Sequence, residues 1–173
     1  LALGLKPGDV IAVWGPLGAG KTSFARFLLA RLGVEGEVPS PTFSLVQAYA
    51  APRFTVHHCD FYRLEPRELA ELGLDDLLPN SVTIVEWPER AGDWLPKDRL
   101  DIAMDETAES YRRRIVLTGH GSWAPRLKRL RALSDFIDTT PYAEAAAEYL
   151  QGDASTRAYA RLVLPDRSAI LMN

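Results

Sequence analysis

The sequence predicts an α/β fold. A mainly parallel sheet with flanking helices is closed by an antiparallel C-terminal strand pair and followed by a short helix and hairpin. Three observations carry this. "VIAVW" (Val10–Trp14) is an apolar, β-rich run of the kind buried on both faces of a sheet. It enters a glycine-rich turn and then a helical pattern, which completes one βα unit. Further β-rich runs then alternate with short helical and Pro-bounded segments, ending in two adjacent strand patterns.

Lys6-Pro7-Gly8-Asp9 reads as the turn that starts the first strand. After the glycine turn, Phe24, Phe27, Leu28 and Leu32 fall at helical spacing, with Gly33 as the stop. A Pro-bounded loop leads to a strand over Ser44–Tyr49, and another strand spans Phe54–Asp60. "EPRELAELG" predicts a short helix with Pro66 in its first turn and Gly73 at its end. Ser81–Trp87 is a third apolar strand containing an acid, and "RLDIAM" and "YRRRIVLTG" form the antiparallel pair.

Composition shifts near Ser122. "APRLKRLRALSDF" is basic and helical, "TPYAEAAAEYLQGD" is Ala-rich and helical, and "ARLVLPDRSAILM" is a hairpin around Pro165-Asp166. The expected organisation is a first domain over 1–122, a basic linker helix over 123–134 and a short lobe over 135–173. About 40 residues rarely bury enough surface to fold alone. The chain starts at Leu1, which is read as the loss of an upstream element.

Hydrophobic residues make up 47% and charged residues 25% of the 173, the balance of a globular protein. A net charge of −3 disfavours a protein that coats nucleic acid. The single cysteine, Cys59, permits no intrachain disulfide and favours a reducing, cytoplasmic compartment. No apolar run approaches the roughly 20 residues needed to span a bilayer.

"GPLGAGKT" (Gly15–Thr22) fits G-x-x-x-x-G-K-[ST]. Gly15, Gly18 and Gly20 let successive backbone N–H groups face one anion, and the helix that follows adds its positive end. Leu17, Ala19 and Ser23 complete the loop's expected nucleotide contacts. Lys21 would reach the β- and γ-phosphates, and Thr22 would ligate Mg²⁺. Such a loop, with a strand before it and a helix after it, points to a P-loop NTPase that uses ATP and Mg²⁺. The Mg²⁺ shell needs a second acid at a neighbouring strand end. Glu86 and Asp60 both qualify. Ser40-Pro41-Thr42 lies where nucleotide-sensing loops sit, and Thr42 could meet the γ-phosphate, Mg²⁺ or the attacking water. A turn with a capping threonine explains the same three residues.

Taken in order, "GPLGAGKT", "SPTF", "DFYR" and "VEWPER" resemble the TsaE family over about residues 1–120. The resemblance implies a weak Mg²⁺-dependent ATPase that supports N6-threonylcarbamoylation of adenosine 37 in tRNA. It would act through a TsaB–TsaD-type complex and touch tRNA only indirectly. By position, Lys21 and Thr22 match the family's phosphate and Mg²⁺ residues, and Glu86 its Mg²⁺ acid. Thr42 and Asp60 match its switch threonine and motif aspartate, and Trp87 its tryptophan near the nucleotide. "GDASTRAYARLVLPDRSAILM" (Gly152–Met172) resembles the opening hairpin of aminoglycoside-phosphotransferase-like kinases, which implies a fused amino-sugar kinase cut short at Asn173.

Elsewhere the plainer reading is preferred. Consecutive His57 and His58 face opposite sides of a strand and make no metal pair. Cys59 is a packed thiol. Arg112–Arg114 mark a solvated strand end, with Arg113 or Arg114 a minor candidate for the nucleotide site. Arg126–Arg131 belong to a charged linker helix. Two other functions remain open: a small-molecule P-loop kinase and a non-hydrolytic nucleotide switch.

Overall fold

The computed structural model describes residues 1–65, 68–109, 111–150 and 159–172. They form two compact units, one over Gly4–Arg126 together with Ala2, the other over Leu127–Asn173 together with Leu1 and Leu3.

The larger unit is built on a six-stranded sheet of order β2-β3-β4-β1-β5-β6. The strands are β1 Val10–Trp14, β2 Val46–Ala50, β3 Thr55–Asp60, β4 Ser81–Glu86, β5 Leu100–Glu106 and β6 Arg113–Gly119. The four inner strands β3, β4, β1 and β5 run parallel. Both edge strands are antiparallel to their neighbours, so β2–β3 forms a second hairpin beside the expected β5–β6 pair. β1 lies fully inside the sheet, and Val10, Ile11, Ala12 and Val13 are all buried, as a run without polar alternation requires.

Helix α1 (Lys21–Arg31) starts on Gly20, which is left-handed at φ 101°, and follows β1 directly. Its buried face is Ala25, Leu28 and Leu29, with Leu32 just beyond its end. This corrects the expected face: Phe27 is 62% exposed. The narrow inward stripe of a helix lying on a sheet takes small and aliphatic side chains and leaves the larger ring outside.

Other boundaries differ for local reasons. β2 begins at Val46 rather than Ser44, because Leu45 is left-handed at φ 62° and its N–H donates to Pro41 O. The expected helix over Glu65–Gly73 is instead a 3₁₀ turn, Leu69–Leu72, with left-handed Gly73 joining it to the short helix α2 (Leu74–Leu77). Pro66 lies outside the described residues. Trp87 does not extend β4; it turns the chain at φ 58°. Beneath this carboxyl edge, Cys59, Phe61, Leu64, Leu74 and Val85 pack with Val10 in one apolar cluster.

Helix α3 (Trp123–Asp138) carries the basic segment. Its first turn belongs to the larger unit, where Trp123 is buried and Arg126 makes two bonds to the buried Asp9 carboxylate, 2.6 and 2.7 Å. In the smaller unit the Ala-rich segment is not helical. Ala146–Leu150 is strand β7, antiparallel to β8 (Tyr159–Val163), which pairs with β9 (Ser168–Met172). Alanine's helix propensity is worth only a fraction of a kcal/mol per residue, and a paired ladder overrides it. β8 and β9 form the expected hairpin, whereas Gly152, Asp153, Ala154, Ser155 and Arg157, cited for the kinase resemblance, lie outside the described residues.

Candidate functional site

The parallel register sets the site. β1, β4 and β3 end side by side, with Val13 opposite Glu86 and Asp60 opposite Glu86. The loop after β1 and the acids ending β4 and β3 therefore meet at the carboxyl edge of the sheet, where open α/β folds bind ligands. Residues two apart share a face, so His58, Asp60 and Glu86 lie on one side and Cys59 and Val85 on the other.

The loop folds around its own lysine. Lys21 is buried, and its Nζ donates to Gly15 O at 2.6 Å and Pro16 O at 2.8 Å. The ammonium also lies 3.7 Å from the centre of the Trp87 ring. Burial pulls Lys21 below its ordinary range, and the charges of Glu86, Glu89 and Asp60 oppose that pull. The left-handed turn at Trp87 is what swings the indole over the loop, a strained backbone of the kind found at ligand sites. Tyr62 packs on the same indole, ring centres 4.8 Å apart.

Two oxygen clusters face the lysine. Thr22 Oγ1 donates to Glu86 Oε2 at 2.9 Å. Glu86 is 2% exposed, and its other oxygen, Oε1, lies 2.7 Å from His58 Nε2. Thr42 Oγ1 donates to Asp60 Oδ2 at 2.6 Å, and Ser40 Oγ lies 2.8 Å from Thr42 Oγ1 and 3.3 Å from Asp60 Oδ2. Asp60 Oδ1 accepts the Tyr62 N–H, which fixes the carboxylate against its own backbone.

These groups line a cavity of about 370 Å³. Leu17, Gly18, Gly20, Lys21, Thr22, Ser23, Thr42, Asp60, Glu86 and Trp87, all expected at the site, line it together with Ser40 and Tyr62. Gly15 and Ala19 do not: Gly15 contributes its carbonyl to Lys21, and Ala19 is buried behind the loop. A second cavity, about 510 Å³, opens on the β5–β6 side of the same loop. It is lined by Phe24, Phe27, Met104, Tyr111, Arg113 and Ile115 as well as Gly18, Ala19, Gly20 and Ser23 of the loop and helix start. Of the arginine run, Arg113 lines this cavity, Arg112 pairs with Glu109 and Arg114 reaches Asp105.

The donor set fits a hard cation held partly by ligand oxygens and water. Thr22 and Glu86 supply hydroxyl and carboxylate oxygens, with Asp60 beside them, as Mg²⁺ prefers. Among the described residues, no group of three or more His, Cys, Asp or Glu side chains could hold a metal by itself.

The profile of the family described as "Threonylcarbamoyl adenosine biosynthesis protein TsaE" matches residues 1–115. The chain belongs to the TsaE family. It is similar to proteins named "tRNA threonylcarbamoyladenosine biosynthesis protein TsaE" in several bacteria. The one from Rickettsia conorii is 31% identical over 159 residues, covering 91% of this chain and 89% of the relative. The one from Bacillus subtilis is 37% identical over 118 residues, covering 68% and 73%. The crystal structure of Bacillus subtilis YdiB superposes with a TM-score of 0.66 at 30% identity, covering 78% of this chain and 83% of that one. The mixed, mainly parallel sheet is thus shared with a solved structure. No helix among the described residues is long and apolar enough to cross a membrane.

Sequence reasoning assigned neither Tyr62, which lines the cavity, nor His58 to the site. The strand alternation that separates His58 from His57 also puts it on the face of Asp60 and Glu86, and "HCDF" held that signal.

Proposed function

We propose that this TsaE-family chain is a Mg²⁺-dependent ATPase that supports threonylcarbamoyladenosine formation in tRNA. The observation that carries this reading is the junction of Lys21, Thr22, Glu86 and the Thr42–Asp60 pair around one cavity beside a helix N-terminus. Two of the three Lys21 N–H groups meet loop carbonyls, and the third is left for phosphate oxygens. The Gly18–Thr22 backbone and the start of α1 stabilise phosphate charge. Bound Mg²⁺, held by Thr22 and the Glu86 carboxylate, would neutralise the β- and γ-oxygens. Thr42 and Asp60 lie across the cavity from the loop and position the attacking water. The apolar cavity on the β5–β6 side, with Phe24, Met104 and Tyr111, suits the nucleoside half of the ligand.

P-loop enzymes of this plan often receive a charge-stabilising group from a partner. Low turnover alone, acceleration by a TsaB–TsaD-type pair and indirect contact with tRNA follow from that reading. For the C-terminal lobe, the antiparallel meander β7-β8-β9 supports the kinase-hairpin proposal. An acceptor kinase remains the weaker alternative for the larger unit, since the segment from α1 to β2 carries no helical lid.

The test is calorimetric titration of ATP with Mg²⁺, followed by turnover of the chain alone and with the reconstituted pair and tRNA. Tight ATP binding and slow basal hydrolysis that rises in the complex are expected. Absence of ATP binding, or fast hydrolysis without any partner, would overturn the proposal.

A further inference from the structure

We propose that His58 is a positioning residue that fixes the Glu86 carboxylate for the metal ion, an inference that rests on the ATPase reading above. His58 is fully buried in β3, and its Nε2 lies 2.7 Å from Glu86 Oε1. A carboxylate only accepts, so the bond needs the imidazole proton on Nε2. His58 Nδ1 meets no partner among the described residues. A proton there would be a buried donor without an acceptor, which folded proteins avoid more strongly than a bare acceptor. The two facts agree on one tautomer, with its only N–H directed at Glu86.

The consequence lies on the opposite oxygen. Oε1 is held from β3, so Oε2 is turned toward Thr22 Oγ1, 2.9 Å away at the start of α1. His58, Glu86 and Thr22 thus form a chain from strand to strand to helix that sets the carboxylate plane at the site where Mg²⁺ would sit. The arrangement is built by register: His58 pairs with Ile84, and Glu86, two residues on, is its diagonal neighbour on the same face. Residues that orient a metal ligand from behind typically change metal affinity about 10–100-fold when lost.

The test compares His58→Leu, which removes the donor, with His58→Gln, whose amide nitrogen sits near the lost Nε2. Mn²⁺ affinity of the ATP-loaded protein, read by electron paramagnetic resonance, should weaken about 10–100-fold in His58→Leu and be largely restored in His58→Gln. ATP affinity without metal should be unchanged in both, which a general loss of packing would not produce. Nitrogen NMR of the wild-type histidines, with no ligand added, should show His58 as the Nε2–H tautomer. If His58→Leu does not fold, the Gln variant and the tautomer still decide the matter. Wild-type Mn²⁺ affinity in the Leu variant, a Gln variant as weak as Leu, or a proton on Nδ1 would each overturn the role of His58. A wild-type chain that binds no ATP would overturn the proposed function instead.

Discussion

Lys21 is held by two carbonyls and an aromatic face in a buried position, an arrangement that commits its charge to whatever enters the loop. Hydrogen bonds to charged groups contribute about 1.5–3 kcal/mol, so Lys21→Ala should weaken ATP binding roughly 10–100-fold in a titration. Asp60 and Thr42 predict the opposite pattern. Asp60→Asn should leave ATP affinity near wild type and lower the complex-stimulated rate about 10²–10⁴-fold, because a group that positions or activates water acts in the transition state. His57, on the other face of β3, is structural. Ser81 Oγ donates to Leu77 O at 2.6 Å and so can accept from His57 Nδ1, 2.9 Å away. Burial pulls the His57 imidazole below its ordinary value. The unfolded chain therefore binds the proton more readily than the folded one. This penalty is absent above the unfolded value near 6.5 and grows as pH falls through it. The urea midpoint should drop between about pH 7.5 and about pH 5.5, and less so in His57→Asn.

At the scale of elements, the βα junction depends on Gly15. Its φ is 144°, and a Cβ there would lie 2.5 Å from Met104 O on β5. Gly15→Ala should cost about 2 kcal/mol or more in denaturant unfolding, since both the backbone region and the clash oppose it. The strands β1 and β4 were legible because near-continuous apolar runs admit few other states, and β5 and β6 because their short β-rich runs sit in tandem near the end of the unit. The segments that failed were those where neighbours outvote local propensity. The Ala-rich stretch pairs as β7 because β8 presents a ladder to it. The inward face of α1 was misassigned because periodicity marks which residues are apolar but not how much room the sheet leaves above them. Phe27 therefore lies at the mouth of the second cavity and not in the core.

At the largest scale, within the larger unit, Arg126 ties the first turn of α3 to Asp9, the residue just before β1. Its guanidinium bonds both oxygens of Asp9, which is 4% exposed, and lies 3.9 Å from the Trp123 ring centre. Removing Arg126 leaves the buried Asp9 carboxylate without its charged partner, which costs about 1–3 kcal/mol, so Arg126→Ala should lower the unfolding midpoint while leaving the nucleotide site intact. Thermal unfolding of the variant alongside its ATP affinity separates the two effects.

By itself the sequence determined the glycine-rich loop between a strand and a helix, the larger unit's succession of strand segments along the chain and the family, because glycine placement, a lysine and apolar periodicity are local and survive without neighbours. It left Asp60 and Glu86 as alternatives for one acid. The tertiary structure gave them separate company: Glu86 with Thr22 and His58, Asp60 with Thr42 and Ser40. That division follows from parallel register across β3, β4 and β1, a long-range pairing that no single stretch of sequence encodes.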